Sequence, residues 1–298
     1  MITRRLGRTD IKITELGYGA MELRKIEMSA ADHLLNNLLD KGIGFIDTSP
    51  DYGISEEVIG QCVSKRRHEF ILASKCGCNI PRTETDSEAH IWTSGQVLHN
   101  VERSLRLLKT DYLDLLQIHG ATVEEVRSGK LVETMRQLQT EGKIRHVGYS
   151  ASGGTAMFGY NDFVQLLAAD VFDFFQLPYC VLARIYEESI TDATKQNTGV
   201  IVRGTVQPQY VRVYEESSWE DIWNKANLDD LLAEGENRYR FMLRFAISHP
   251  DFSTIIIGTS DLEHLSENIK SFEIGALSSD VYEEVKQRLD TIGITKHE

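Results

Sequence analysis

Eight short runs of apolar, β-branched and aromatic residues recur along the chain, at 15–18, 44–47, 70–75, 112–119, 144–150, 172–176, 199–203 and 253–258. They lack strict polar alternation, which suits strands buried on both faces of a parallel sheet. Segments with helical spacing lie between them. In 30–41, Leu34, Leu35, Leu38 and Leu39 form one stripe, ended by Gly42. Val97, Val101, Leu105 and Leu108 repeat along 95–109, and Leu131, Met135 and Leu138 along 130–141, before Gly142. A glycine just past an amphipathic stripe marks a helix end that needs a left-handed residue. Eight strand–helix alternations, each of roughly 30 residues, predict an α/β fold of the (β/α)8 TIM-barrel type rather than an open doubly wound sheet.

Two features interrupt that rhythm. Residues 3–14 read as a β-hairpin, with Arg4-Arg5-Leu6 and Ile11-Lys12-Ile13 flanking Gly7-Arg8-Thr9-Asp10. Placed ahead of the first barrel strand, this hairpin is expected to close the bottom of the barrel. The loops 76–93 and 204–236 are long and carry Trp92, Trp219 and Trp223. Both follow strands and so emerge at the C-terminal rim, where long loops line sites. Trp219 and Trp223, four apart, read as one face of a short loop helix packed on the barrel. No linker or low-complexity stretch divides the chain, so residues 1–298 are expected to form a single domain.

Composition narrows the function. With 298 residues, 41 % apolar and 26 % charged, the chain reads as an ordinary globular protein, not a disordered or fibrous one. Its net charge of −13 would repel a phosphate backbone, so no nucleic-acid partner is expected. No apolar run approaches the ~20 residues of a membrane helix, and the N-terminal residues lack the apolar core of a signal peptide. Four scattered cysteines, Cys62, Cys76, Cys78 and Cys180, make no disulfide framework and point to a reducing, cytoplasmic setting. Cys76-Gly77-Cys78 has no second Cys or His cluster near it in sequence, so no metal site is expected.

The polar groups that end the strands carry the chemistry. Asp47 closes the second run, Lys75 the third and His119 the fourth, while Tyr52 follows Asp47 by five residues. In a closed parallel barrel these ends converge on one rim. A buried Lys needs a carboxylate, and Asp47 on the neighbouring strand supplies one. A tyrosine of reference pKa ~10 holds its proton at neutral pH yet can give it to a far more basic developing alkoxide. An adjacent ammonium stabilises the phenolate left behind, and a neutral imidazole can polarise a carbonyl oxygen. Carbonyl reduction also needs a hydride, which no side chain supplies, so a nicotinamide cofactor is implied. A metal-dependent barrel hydrolase or isomerase is the competing reading; Lys75 beside the would-be ligands Asp47 and His119 argues against it.

With these residues in hand, the chain resembles the aldo-keto reductase superfamily. The resemblance runs from Leu16-Gly17-Tyr18-Gly19-Ala20-Met21 to Glu267-Asn268. It is carried most specifically by residues 42–53 (Gly-Ile-Gly-Phe-Ile-Asp-Thr-Ser-Pro-Asp-Tyr-Gly), by 104–115, and by Gln117-Ile118-His119. The resemblance implies a (β/α)8 barrel that binds NADPH without a Rossmann motif or a metal, NADH being the alternative. It implies an Asp, Tyr, Lys and His tetrad at Asp47, Tyr52, Lys75 and His119, with Tyr52 as proton donor. It also implies cofactor contacts at Gly19, Ala20, Met21, Asp47, Ser150, Gln176, Arg203, Gly258, Thr259, Ser260, His264, Glu267 and Asn268.

Three positions depart from the family's pattern. Ala151 replaces the Asn expected beside Ser150, Arg203 occupies the place of a ring that stacks on the nicotinamide, and the basic pair for a 2′-phosphate is missing from 258–264. Asp261 would repel a phosphate if it pointed that way and reads at least as well as a helix N-cap, while Thr259, Ser260 and the following helix N-terminus are the remaining candidates for an anion. Trp92, Met21, Tyr149 and the 204–236 loop are expected to wall a pocket for a small carbonyl substrate, a sugar among the candidates. A monomer or small homo-oligomer is expected. The alternative function, of a different class, is a cofactor-binding regulatory subunit with little or no turnover.

Overall fold

A computed structural model describes residues 1–81, 89–151, 160–206 and 218–295. Two short strands, β1 (Thr3–Arg5) and β2 (Lys12–Thr14), pair antiparallel. Eight more form the barrel: β3 (Leu16–Gly19), β4 (Phe45–Asp47), β5 (Ile71–Cys76), β6 (Leu113–His119), β7 (Ile144–Ser150), β8 (Phe174–Pro178), β9 (Gly199–Arg203) and β10 (Thr254–Ile257). They pair in parallel and in sequence order, and β10 closes onto β3. The Tyr18 hydroxyl reinforces that seam by donating to the Thr259 carbonyl at 2.7 Å.

The expected helices form close to their expected bounds, as Met28–Asp40, Ser94–Leu108 and Leu131–Thr140. Each turns its leucine or valine stripe into the core, Leu105 only in part. Gly42 and Gly142 follow the first and third of them with φ of +76° in both cases, the left-handed turn the sequence pattern demands. The 204–236 region yields the helix Trp219–Lys225, started by a Ser218–Asp221 capping box. Trp223 is fully buried there, edge-on to Phe241, and its indole N–H donates to Asp229 at 2.8 Å. Residues 207–217 of that loop, and 82–88 of the 76–93 loop, lie outside the described residues.

Side chains alternate between the barrel interior and the helix layer with period two. The lower interior is apolar: Phe45, Ala73, Leu115, Phe174, Ile201 and Ile256 form one buried cluster. Leu6, Ile11 and Ile13 of the hairpin enter the same cluster from below, so the hairpin does close the bottom. The fit is tight at its turn. Gly7 has φ +52°, and a Cβ there would lie 2.2 Å from the Gly199 amide nitrogen. Two residues further along the same strands, the interior face presents Asp47, Lys75, Gln117, Gln176, Arg203 and, just beyond β10, Gly258. A polar layer therefore sits directly on an apolar one, at the C-terminal ends of the strands.

Candidate active site

Lys75 and Asp47 anchor the polar layer. Lys75 Nζ donates to Asp47 Oδ2 at 2.7 Å and to the Thr48 carbonyl at 2.9 Å, with the two side chains only 1 % and 2 % exposed. The other carboxylate oxygen of Asp47 accepts from the Gln117 amide at 2.8 Å and from the Gln176 amide at 2.9 Å. Both glutamines are fully buried and come from β6 and β8, so three elements of the barrel fix one carboxylate. Burial disfavours the ammonium, but Asp47, together with Tyr52 and Asp51, more than reverses this and lifts the Lys75 pKa above its ordinary value. Lys75 stays charged.

Tyr52 follows β4 and brings its ring to 4.9 Å from Lys75 Nζ, centroid to nitrogen. Burial raises the phenol's pKa above its usual value; Lys75 partly offsets this. His119 ends β6, paired in register with Ser150 on β7. Burial, then the positive charge of Lys75, push its imidazole down to about 3 against the pull of Asp51, so the ring is neutral across the working pH range. The structure thus brings Asp47, Tyr52, Lys75 and His119 to one rim.

The adjoining positions continue the network. The Ser150 hydroxyl donates to Gln176 Oε1 at 3.3 Å, which ties it indirectly to Asp47. The Arg203 guanidinium donates to the Ala151 carbonyl at 2.8 Å. Gly19 is the register partner of Asp47, and Ala20 and Met21 begin the short 3-10 helix Ala20–Lys25 that follows β3. Tyr149 does not wall a pocket. One residue out of phase with Ser150, it faces the helix layer, fully buried against Phe172 and Phe175 with its hydroxyl on the Ala121 carbonyl. Trp92 stacks on His90 at 5.1 Å and covers Gly77.

Beyond β10 a cavity of about 550 Å³ opens, lined among others by Trp219, Arg240, Gly258, Thr259, His264, Glu267 and Asn268. Asp261 is the N-cap of the helix Leu262–Ile274, and its carboxylate accepts from the amides of Glu263 and His264. The Thr259 hydroxyl bonds the Asp261 backbone, so it and the helix N-terminus are already partnered. Arg240, from the helix Arg238–Ile247, pairs with Glu267 at 2.5 Å. Its Nε is buried with no hydrogen-bond partner among the described residues. Arg240 as a lining residue was not legible in the sequence, since nothing in its own helix sets it apart. Gln117 was missed too, although an amide inside the apolar run of β6 signals a buried polar partner.

Beside this geometry stand three likenesses to known proteins. The Aldo/keto reductase family model matches residues 15–290. An uncharacterised oxidoreductase, YqkF of Bacillus subtilis, is 28 % identical over 96 % of this chain and 95 % of its own. L-galactose dehydrogenase of Arabidopsis thaliana is 23 % identical over 93 % of this chain and 90 % of its own. Among solved structures, the holo form of aldo-keto reductase AKR11C1 from Bacillus halodurans superposes with a TM-score of 0.82 at 26 % identity, covering 97 % of this chain and 96 % of that one.

A closed parallel barrel matched by this family over most of its length is an oxidoreductase of the carbonyl–alcohol class. The chain belongs to the aldo/keto reductase family, whose general activity is carbonyl reduction with a nicotinamide cofactor. No helix among the described residues is long and apolar enough to cross a membrane.

Proposed function

We propose that the chain interconverts an aldehyde or ketone with its alcohol using NADPH, with Tyr52 as the proton donor in the reductive direction. The observation that carries this reading is the placement of Lys75, bonded to Asp47 on one side and facing the Tyr52 ring on the other. When bound, the nicotinamide supplies the hydride that no side chain can. Ser150 and Gln176 would hold its carboxamide, and Glu267 and Asn268 the adenine. Gly19, Ala20 and Met21 would line its path from the β3 side, and Arg203, Gly258 and Ser260 from the far side of the seam.

Tyr52, kept protonated by burial, gives its proton to the alkoxide oxygen as that oxygen becomes basic. Lys75 compensates the phenolate, and Asp47 keeps Lys75 charged and aimed. His119, neutral, donates to the same oxygen and sets its orientation. Arg240 supports NADPH over NADH, because it brings to the cavity a guanidinium that the 258–264 segment lacks. We take the substrate to be a small carbonyl compound; the sugar dehydrogenase name of one relative favours a sugar.

The test is Tyr52→Phe. Turnover, read as loss of reduced-nicotinamide absorbance with a reactive aldehyde, should fall by roughly 10²–10⁴-fold, with dinucleotide binding by fluorescence retained. A fully active Tyr52→Phe removes the assigned acid. Tight dinucleotide binding by the wild-type protein with no turnover on a broad carbonyl and alcohol panel would favour a regulatory binding subunit instead.

A further inference from the structure

Three polar neighbours crowd one ring nitrogen of His119. Its Nδ1 lies 3.4 Å from His90 Nε2, 3.5 Å from Asp51 Oδ2 and 3.6 Å from Cys78 Sγ. A neutral imidazole carries one N–H, and its other nitrogen accepts. Burial, then Lys75, keep this ring neutral, so its single proton sits either on Nδ1, among these neighbours, or on Nε2. The two placements have opposite consequences. Only with the proton on Nε2 can that nitrogen donate to an oxygen, and the crowded Nδ1 must then find a donor of its own.

Each neighbour biases that choice. Burial raises the Asp51 pKa, but the hydrogen bond from His90 leads the influences that bring it below the ordinary carboxylate value. An ionised carboxylate only accepts, so Asp51 draws the His119 proton to Nδ1. Cys78 keeps its S–H, because burial and then Asp51 push the thiol up to about 12. A thiol is a weak donor, however, and Ser49 Oγ at 3.5 Å is an alternative partner for it. His90 Nε2 is the strong donor available, standing 3.4 Å from His119 Nδ1 and 3.6 Å from Asp51 Oδ2. Both separations exceed the ~2.9 Å of a simple bond, as suits one N–H divided between two acceptors. Such bonds are often long in a free enzyme and tighten in its complexes. We propose that His90 is a positioning residue for the carbonyl reaction: it donates from Nε2 to His119 Nδ1 and so fixes the His119 proton on Nε2, for the substrate oxygen. The effect on turnover rests on the carbonyl role given to His119 above; the tautomer itself does not.

The fold delivers His90 to the rim by backbone pairing. Cys78 and His90 face each other across an antiparallel bridge, framed by Asn79 N–H to the Ala89 carbonyl at 2.9 Å and Ile91 N–H to the Gly77 carbonyl at 2.8 Å. They form a non-hydrogen-bonded pair, the kind whose Cα atoms approach closest, about 4.5 Å. Trp92 holds the His90 ring from one side, with the two planes within 3° of parallel. The His90 and His119 rings stand at 80° to each other, so these two meet edge-on rather than stacked. Trp92 in turn lies over Gly77, where a Cβ would come within 2.0 Å of the indole.

Loss of His90 therefore does more than loosen a ring. It hands Nδ1 to Asp51 and turns Nε2 from a donor into an acceptor, set against another acceptor, the developing alkoxide. A misplaced imidazole tautomer is costly wherever its N–H is needed.

The test reads the tautomer directly, by nitrogen–proton correlation spectra of the full-length chain labelled at its histidines, at neutral pH and without dinucleotide or substrate. The His119 signals are assigned by their loss in His119→Gln. The wild type should hold the His119 proton on Nε2. His90→Phe keeps a ring for Trp92 to stack on but has no donor, and it should move the proton to Nδ1. His90→Gln, whose amide N–H can take the place of the imidazole N–H, should return it to Nε2. With NADPH and a reactive aldehyde, kcat of His90→Phe should fall by at least about 10-fold, up to the roughly 10²–10³-fold that loss of an oxyanion donor costs. The KM for the dinucleotide should hold, and His90→Gln should recover most of the lost kcat. Far-ultraviolet circular dichroism verifies that each variant folds. A His119 proton on Nδ1 in the wild type, one that stays on Nε2 in His90→Phe, or an unchanged kcat in His90→Phe overturns the proposal. Because the spectra need neither cofactor nor turnover, a failure there is separate from any failure of Tyr52→Phe.

Discussion

Lys75 Nζ and Asp47 Oδ2 stand 2.7 Å apart at the top of the barrel's apolar interior, almost wholly removed from water. A buried pair of this kind is weak evidence for stability but costly to halve, because the surviving charge is left uncompensated. Lys75→Met alone should therefore destabilise the fold by about 3–5 kcal/mol, read by chemical denaturation. Lys75→Met combined with Asp47→Asn should recover most of that loss, since the new amide keeps an oxygen for Gln117 and Gln176. It should not recover turnover. A double variant as unstable as the single one would show that the pair stabilises the barrel by more than mutual compensation.

Arg240 should separate the two nicotinamide cofactors. A charge-assisted hydrogen bond is worth about 1.5–3 kcal/mol, so Arg240→Gln should weaken NADPH binding by roughly 10–100-fold and leave NADH near its wild-type affinity. Glu267 keeps its second partner, Lys270 at 2.8 Å, and its place is not expected to shift. Equal weakening of both cofactors in a fluorescence titration would assign Arg240 to scaffolding.

The hairpin should loosen with rising pH. His146 Nε2 lies 2.8 Å from Asp10 Oδ1 in the hairpin turn, and its Nδ1 lies 3.7 Å from Asp173. Burial lowers the imidazole's pKa, but the two carboxylates outweigh it and the net shift is upward. A folded-state pKa above the unfolded one means the contribution is complete below the imidazole's ordinary pKa and fades as pH rises through the raised value. Hydrogen exchange across residues 3–14, corrected for its intrinsic pH dependence, should accelerate over that window. In His146→Gln the added acceleration should vanish.

Trp223 should matter for folding rather than for chemistry. It is fully buried against Phe241 and Trp219. Trp223→Ala should cost about 3–5 kcal/mol, lowering the melting temperature without altering cofactor preference. A shift in the NADPH-to-NADH ratio would instead tie this helix to the cofactor cavity, which its neighbour Trp219 lines.

The barrel was readable because apolar runs and glycine-ended stripes are local signals, and local signals are what a sequence displays. Asp47, Lys75 and His119 were readable for a related reason: each is a polar residue at the end of an apolar run, and strand ends in a closed parallel barrel share one rim. Gln117 carries the same signal one turn of the pleat before His119. Arg240 carries none, because the cavity it lines is made by distant segments that pack beside it. Tyr149 misled because a strand's period of two sends neighbours to opposite faces, and Ser150 already faced inward.

The hairpin beneath the barrel has a further effect on how the molecule can be used. With Leu6, Ile11 and Ile13 packed under the barrel's own apolar side chains, that end is filled twice over and offers a reactant no approach among the described residues. The polar layer is thereby given a solid floor, one that three aliphatic side chains complete from the far side.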